Sequence, residues 1–441
     1  MRCSSLRKPQ DSLLRLVAVQ PPKLAAARRS IWNRIRLQLG MGLLLAVLVP
    51  YFVRLYLEYP SVELENLNYS LAGSTIAVIA GYVGFRKMSF YPGARAGFNI
   101  LPSFALSYAL VMAVFFIARI DYSRLHFIAS FVTAAAWYYL VYFKLQRRRM
   151  TVGVLPFGSV QALYEIPALE CVTLDSVDHD LSGLDAVVAD LRSDIPDEWE
   201  RFLADRALDE VLVMHAKQVV ESLTGRVEIE HLSENTFGSL IPGIVYAKVK
   251  RVWDLLAALL ALPFIALLLL PVAILIKLDS PGPVFFRQER MGYRGRPFTM
   301  IKLRTMRSNA GPQDVRAAAM TRHNDDRVTR FGRFLRNYRI DELPQIINII
   351  KGEMSWIGPR PEAVPLSLWY EAELPFYRYR HIVRPGITGW AQVKQGHVAE
   401  VDEVLAKLHY DFFYIRNFSF WLDILIVAST IRTILSGFGA R

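Results

Sequence analysis

Cysteine is almost missing: Cys3 and Cys171 are the two in 441 residues. That excludes a disulfide framework and fits a reduced, cytoplasmic setting. Charge is sparse as well, at 21% of residues against 53% hydrophobic, a balance that leans toward a membrane protein. Acidic residues are outnumbered, which leaves a net charge of +12 and points to anionic partners. Zinc-ligand spacing, an RNA-binding signature and a basic helix with base-reading residues are all lacking. Nucleic acid is therefore not the expected partner, and anionic lipid and phosphorylated substrate fit better. A cleavable signal is not expected either. The basic N-terminus (Arg2, Arg7, Lys8, Arg28, Arg29, Arg34, Arg36) precedes a long apolar run rather than a short one.

Long hydrophobic runs are what the first third has in plenty, at about 37–57, 71–85, 98–118 and 125–143. The second is short for a span, though tilt accommodates it. Their connections alternate in charge. Residues 58–70 carry Glu58, Glu63 and Glu65 without Lys or Arg, whereas 86–97 carry Arg86, Lys87 and Arg95. The turn at 119–124 is short and mixed, and the exit holds Lys144, Arg147, Arg148 and Arg149. The positive-inside rule then puts both ends of a four-helix bundle in the cytoplasm.

The length allows two or three domains, and the expected division is as follows. A basic N-terminus occupies 1–36, the bundle 37–149, an α/β module 150–247 and a C-terminal domain 248–441. In the middle module, 151–155, 171–174, 186–191, 210–214 and 227–229 read as strands and 197–208 as a helix. This alternation predicts a small Rossmann-like α/β fold. Its first turn, Val152-Gly153-Val154-Leu155-Pro156-Phe157-Gly158-Ser159, falls short of the G-x-G-x-x-G needed for close approach to a diphosphate. A regulatory, docking or dimerising role suits the module better, and a homodimer is one consequence.

The apolar segment at about 250–278 is long enough to cross a bilayer, but Pro263 interrupts it and both flanks are basic. Lys248, Lys250 and Arg251 stand before it; Lys277, Arg287, Arg290, Arg294 and Arg296 stand after. A re-entrant helix kinked at Pro263, entering and leaving on the cytoplasmic side, satisfies both flanks. Near the C-terminus, Tyr410, Phe412, Phe413, Tyr414, Phe418, Phe420 and Trp421 form an aromatic cluster. The run 421–435 contains Asp423 and Arg432, costly at a bilayer centre, so an interfacial amphipathic helix is expected there.

Chemistry concentrates at Ile340-Asp341-Glu342-Leu343-Pro344-Gln345. Leu343, Ile346, Ile347 and Ile350 have helical spacing, Pro344 suits a first turn and Gly352 a stop, so the two carboxylates sit at a helix start. There the helix dipole favours an ionised Asp and also helps to hold phosphate. An ionised, positioned carboxylate can attack phosphorus, and a neighbouring Glu can hold Mg²⁺ against a diphosphate. Simple N-capping by acidic residues would look the same in isolation. Candidate phosphate-binding cations surround the pair in sequence: Lys302 and Arg304, Arg336, and Arg360 in Gly358-Pro359-Arg360-Pro361. Arg384, Pro385, Gly386 and Thr388, in Arg384-Pro385-Gly386-Ile387-Thr388-Gly389-Trp390, read as a rigid turn whose exposed amides could hold a nucleotide.

From about 248 to 435 the chain resembles the bacterial sugar transferases, monotopic polyprenol-phosphate phosphoglycosyl transferases. The resemblance rests on Lys250-Arg251 with Asp254, Gly282 to Gln288, Lys302 to Met306, Asp341 to Gln345, Gly358 to Pro361, Arg384 to Val393 and Tyr410-Asp411. It implies transfer of a sugar-1-phosphate from a nucleoside-diphosphate sugar to undecaprenyl phosphate, which initiates synthesis of a lipid-linked polysaccharide. It also implies Asp341 as nucleophile, Glu342 as Mg²⁺ ligand, and Lys302, Arg336 and Arg360 as phosphate contacts. The implied location is the bacterial inner membrane, with the C-terminal domain on its cytoplasmic face. Arg339-Ile340 stand where Ser-Leu is common, Leu303 where Phe is usual, and Lys394-Gln395-Gly396 where Asn-Gly-Arg is commoner. Two other readings compete: a glycosyltransferase releasing nucleoside diphosphate, and a non-catalytic scaffold of polysaccharide assembly.

Overall fold

The computed structural model describes residues 34–58, 63–89, 91, 96–145, 150–181, 183–229, 242–307, 327–395 and 401–436. The basic N-terminus up to Asn33, Arg95, the basic exit at Arg147–Arg149 and Gly396 lie outside them. The chain divides into two compact units, one holding 148–219 and the other holding the N-terminal helices with 220–441.

In the second unit the N-terminal helices are α1 (Ile35–Leu57), α2 (Leu64–Met88), α3 (Ala96–Ala118) and α4 (Arg124–Leu145). Among the described residues four helices are long and apolar enough to cross a membrane: α1, most of α3 and α4, and a later helix, Ile244–Asp279. This is a membrane protein. The second expected run is part of a longer helix, α2, with Glu65 in its first turn and Arg86 and Lys87 in its last. It is less apolar than its neighbours because small residues face the bundle interior. Ring atoms of Phe115 lie over Gly73, and those of Phe104 over Gly81. Small residues of this kind let helices approach closely in lipid, where apolar burial gives no extra drive. Tyr138 of α4 stacks at 5.3 Å on Tyr82 and at 4.8 Å on Phe104.

The first unit is built on a parallel sheet of four strands, β1 (Met150–Val154), β2 (Leu169–Thr173), β3 (Ala186–Ala189) and β4 (Val213–His215), in the order β2-β1-β3-β4. The expected helix is α5 (Asp197–Leu208), with Asp197, Glu198 and Glu200 in the first turn complementing its dipole. Trp199, Phe202 and Leu203 bury its inner face against Leu155, Leu174 and Val187. The fifth expected strand does not form. Val227 belongs to the second unit, where its amide bonds to the His409 carbonyl at 3.0 Å, so the segment is spent on packing there rather than on the sheet.

The C-terminal domain begins with α6 (Ile244–Asp279), which runs unbroken through Pro263 and Pro271. Its buried positions, Lys250, Asp254, Ala258, Val272 and Ile276, form one stripe along its length. The first half of that stripe packs on Phe298, Met300, Ile346 and Ile349, the second on Leu303 and Leu335. Most of the rest is exposed Leu, Ile and Phe, including Leu260 and Phe264. Next come the hairpin β5 (Phe285–Met291) with β6 (Pro297–Leu303), and α7 (Arg330–Asn337). A 3₁₀ turn, Ile340–Gln345, leads into α8 (Ile346–Lys351), and β7 (Ser355–Ile357) follows, then α9 (Val364–Glu373). β8 (Gly386–Thr388), α10 (Trp390–Gln395), α11 (Val401–Arg416) and α12 (Phe420–Ser436) complete the chain.

α12 joins the membrane parts to the rest of its unit. Trp421 packs over Gly84 of α2, the Tyr91 and Ser419 hydroxyls are 2.6 Å apart, and the Arg432 guanidinium lies over the Phe98 ring of α3. Leu422, Leu425 and Ile426 are buried, so the helix expected at the lipid interface is packed against protein on one face. Asp423, costly in lipid, is likewise buried against protein. Its Oδ2 accepts from Lys250 Nζ at 2.7 Å and from the Tyr246 hydroxyl at 2.6 Å, while Oδ1 accepts from Tyr414 at 2.9 Å. Removing one member of a buried ion pair costs about 3–5 kcal/mol, because the other charge is left without its partner. Asp423→Asn is expected to lower the thermal midpoint of the detergent-solubilised protein by a loss of that order, and an unchanged midpoint would show that the pair does not stabilise the fold.

Candidate active site

The acidic pair is held by local geometry before any ion pair is counted. Arg339 adopts a left-handed backbone (φ 54°), and the Glu342 amide bonds back to its carbonyl at 3.2 Å. Pro344 sits within the 3₁₀ turn, and α8 ends at Gly352 with φ 86°. That left-handed cap is what glycine provides, and Gly352 is the helix stop that the sequence predicts. The α8 carbonyls are held from two sides. Arg251 of α6 donates to Ile349 at 2.6 Å and Ile350 at 2.9 Å, and Arg384 Nε donates to Gly352 at 3.0 Å. The carboxylate turn is thereby fastened to the membrane helix.

Three cations converge on Glu342, which is 5% exposed. Lys302 Nζ of β6 donates to Oε1 at 3.1 Å, and Arg360 Nη2 donates to the same oxygen at 2.9 Å. Arg339 Nη1 reaches Oε2 at a looser 3.5 Å. Burial alone would raise the Glu342 carboxyl, but Lys302, Arg360 and Arg339 outweigh it and hold it well below the usual carboxylate range. Asp341 differs. It is 8% exposed, and no hydrogen bond or ion pair engages its carboxylate among the described residues. Burial pushes it up to about 6, helped by the Glu342 charge and opposed by Lys302, Arg360 and Arg336. Two adjacent carboxylates thus have opposite electrostatic fates: one permanently charged and clamped, the other poised near neutrality with its oxygens available.

The Arg360 turn is built by a second set of charges. Gly358 and Gly386 face each other so closely that a Cβ on either would meet the other segment's backbone at 2.3 Å or less, which lets β7 and β8 pair in parallel. Arg380 Nη2 donates to the Arg360 carbonyl at 2.9 Å and to Asp411 at 2.8 Å. Arg290 donates to the Pro361 carbonyl at 2.9 Å, and Lys407 bonds Glu362. Arg380 and Asp411 are 3% and 1% exposed, so this pair is part of the core that aims Arg360. Sequence reasoning missed Arg380, Glu362, Lys407 and Arg290 in this role. Their partners are distant in the chain, and no local spacing marks them.

Of the sequence-derived candidates, Asp341, Glu342, Lys302 and Arg360 come together, with Arg336 near enough to act on Asp341 through its charge. Arg304 points elsewhere. Its Nη2 bonds the carbonyls of Ile276 and Ser280 and the Ser280 hydroxyl, closing the end of α6. Arg384–Thr388 do not form an exposed nest. The Gly386 amide is spent on the Pro359 carbonyl at 2.9 Å, and the Thr388 hydroxyl is 2.7 Å from that of Thr430. Arg384 lies over the Tyr293 ring. Pro263 lies on the exposed face of α6, which continues through it.

Two adjacent carboxylates are the oxygen donors on hand for a hard divalent ion, which would need a ligand and water to complete its shell. No group of three or more His, Cys, Asp or Glu able to hold a metal occurs among the described residues. With Oε1 of Glu342 already shared by two cations, the remaining oxygens are Oε2, which Arg339 reaches at 3.5 Å, and the Asp341 carboxylate. Magnesium characteristically takes one or two carboxylates and completes its shell with substrate phosphates and water.

The family described as Bacterial sugar transferase matches residues 245–437. The chain is 46% identical over 407 residues to the UDP-N-acetylgalactosamine-undecaprenyl-phosphate N-acetylgalactosaminephosphotransferase of Aeromonas hydrophila, covering 91% of this chain and 95% of that one. It is 43% identical over 201 residues to the UDP-glucose:undecaprenyl-phosphate glucose-1-phosphate transferase of Caulobacter vibrioides, covering 45% of this chain and 74% of that one. To the Escherichia coli enzyme of the same description it is 42% identical over 184 residues, covering 41% of this chain and 39% of that one.

A carboxyl whose folded value is raised destabilises the fold once it ionises. The native protein keeps the Asp341 proton up to about pH 6, whereas the unfolded chain releases it in the ordinary carboxylate range. Wild type therefore loses stability as pH rises between those values. Asp341→Asn is expected to be more stable than wild type at pH 8, by about 3 kcal/mol from the linkage relation, with the difference vanishing near pH 4. Thermal unfolding of both proteins across that range checks the sign.

Proposed function

The chain belongs to the bacterial sugar transferase family, and from that premise we propose that it transfers a sugar-1-phosphate from a UDP-sugar to undecaprenyl phosphate, releasing UMP. The observation that carries the reading is the split between the two carboxylates: Glu342 neutralised by Lys302 and Arg360, Asp341 buried beside it with free oxygens.

The route runs through a phosphosugar on the protein. Asp341 attacks the phosphorus that bears the sugar, and the bond from that phosphorus to the oxygen leading to the nucleoside phosphate breaks. UMP leaves with that oxygen, and the sugar phosphate remains on Asp341 as an acyl phosphate. An oxygen of undecaprenyl phosphate then attacks the same phosphorus and returns the Asp341 carboxylate. Magnesium, when bound at Glu342, would neutralise the diphosphate and its leaving group. Lys302 and Arg360, fixed by Glu342, and Arg336 present positive charge toward the phosphoryl oxygens as negative charge builds there. Burial serves the nucleophile, since a carboxylate stripped of water and hydrogen bonds is more reactive.

The membrane geometry suits the substrates. Both ends of α6 are held by the same domain: Lys250 and Arg251 at one end, Ile276 and Ser280 at the other. A crossing would separate those ends by a hydrocarbon core of ~30 Å, with one soluble domain bound to each. These contacts support a re-entrant reading of the segment, with its exposed Leu-rich face in lipid. The basic flanks support a domain on the cytoplasmic face of the bacterial inner membrane, where UDP-sugars are and where the acceptor's phosphate emerges. The parallel β2-β1-β3-β4 order supports a Rossmann-like reading of the middle module.

Purified protein with undecaprenyl phosphate and Mg²⁺, offered a panel of UDP-sugars, is expected to release UMP from one of them, with UDP-N-acetylgalactosamine the first to test. Asp341→Asn abolishes that release. UDP as product would move the assignment to a glycosyltransferase, and no release from any donor would favour a scaffold. Turnover of the wild type should fall about tenfold per pH unit below the Asp341 value of about 6, as the nucleophile takes up its proton. A profile flat to pH 5 would exclude Asp341 as the titrating group.

A further inference from the structure

Glu342 has more cations than its chemistry requires. Lys302 and Arg360 share Oε1, are 14% and 22% exposed, and come from a strand and from a turn braced by Arg380 and Arg290. Both are built in. Arg339 is different in each respect. It meets the other oxygen, Oε2, at 3.5 Å, the outer edge of a hydrogen bond, and is the most exposed of the three at 27%. It stands in the left-handed region, a costly place for a residue with a Cβ, and such strain persists where the surroundings impose it. The backbone bonds from Arg339 to Arg336 and from Glu342 to Arg339 impose it here. The backbone is therefore fixed while the guanidinium is loosely held, beside the one Glu342 oxygen that the other cations leave available.

We propose that Arg339 is the exchangeable cation of this site: it guards Glu342 Oε2, gives that oxygen up to a divalent ion, and turns its guanidinium onto the diphosphate of the donor. The inference rests on the assignment of Glu342 as a metal ligand and of a UDP-sugar as donor. A monovalent group at 3.5 Å loses to a divalent ion bound directly to the same oxygen, because attraction grows with charge and with closeness. Once displaced, the guanidinium is repelled by the ion and needs an anion within reach of its long side chain. The diphosphate of the donor supplies one, with phosphate oxygens that the arginine fork can engage two at a time. The exchange keeps Glu342 compensated before the ion is bound and adds one contact to the donor afterwards. It also makes metal and donor binding interdependent, since each favours the arginine position that admits the other.

The test uses the full-length protein in detergent, with Mn²⁺ as the metal probe and free Mn²⁺ read by electron paramagnetic resonance. Arg339→Ser removes the competitor, so Mn²⁺ alone is expected to bind at least threefold more tightly than to wild type. The same variant loses a donor contact, so its KM for the UDP-sugar rises about tenfold while kcat changes less. Arg339→Lys, which keeps the charge but not the fork, restores weak Mn²⁺ binding and only part of the donor affinity. Unchanged Mn²⁺ affinity in Arg339→Ser overturns the exchange and leaves Arg339 a third, static ion-pair partner. A wild type that binds no Mn²⁺ with or without donor overturns the metal assignment of Glu342 and the exchange with it. Loss of kcat with KM and Mn²⁺ binding unaltered also refutes it, since that pattern belongs to a residue shaping the turn alone.

Discussion

Everything in the C-terminal domain converges on one carboxylate oxygen. Glu342 Oε1 receives Lys302 from a β-hairpin and Arg360 from a turn between two short parallel strands, and neither element is near the other in sequence. A buried anion with two donors on one oxygen is stable only if all three groups are in place together. The hairpin, the 3₁₀ turn and the Gly358–Arg360 turn are therefore obliged to assemble as a unit. The cost of burying that triad buys a neighbour, Asp341, that is surrounded by positive charge yet bonded to none of it.

The rest of the domain reads as support for that arrangement. Arg380, paired with Asp411, and Arg290 hold the backbone of the Arg360 turn through its carbonyls rather than through the guanidinium. Arg251 and Arg384 do the same for the end of α8. Arginine suits this work because its fixed fork spans two carbonyls at once. The site is consequently tied to α6 by backbone contacts, and a movement of that helix in the bilayer would be felt at the dyad.

Legibility followed the range of the interactions. The dyad, its helix and the Gly352 stop are local features, encoded within a dozen residues, and the sequence shows them directly. The α5 helix, from Asp197 to Leu208, was legible for the same reason. Lys302 and Arg360 could be proposed because they share motifs with glycine, proline and a strand. Arg304 and the Arg384–Thr388 turn carry the right chemical groups but spend them elsewhere, on the end of α6 and on a strand pair. Composition cannot distinguish a guanidinium that closes a helix from one that holds phosphate. Pro263 misleads similarly: proline removes one backbone donor, yet the helix in which it sits continues. The second bundle helix was underestimated because its small and polar residues, which lower its hydropathy, are those that face other helices.

The Lys250–Asp423 pair joins residues 173 positions apart, the first on α6 and the second on the last helix of the chain. Translation sets an order on that contact. The apolar helix leaves the ribosome with its ammonium exposed well before the aspartate that will neutralise it has been made. Throughout that interval the cheapest place for the Lys250 ammonium is the water boundary, where it stays hydrated. Only when the final helix packs does that ammonium gain the carboxylate that lets it be buried.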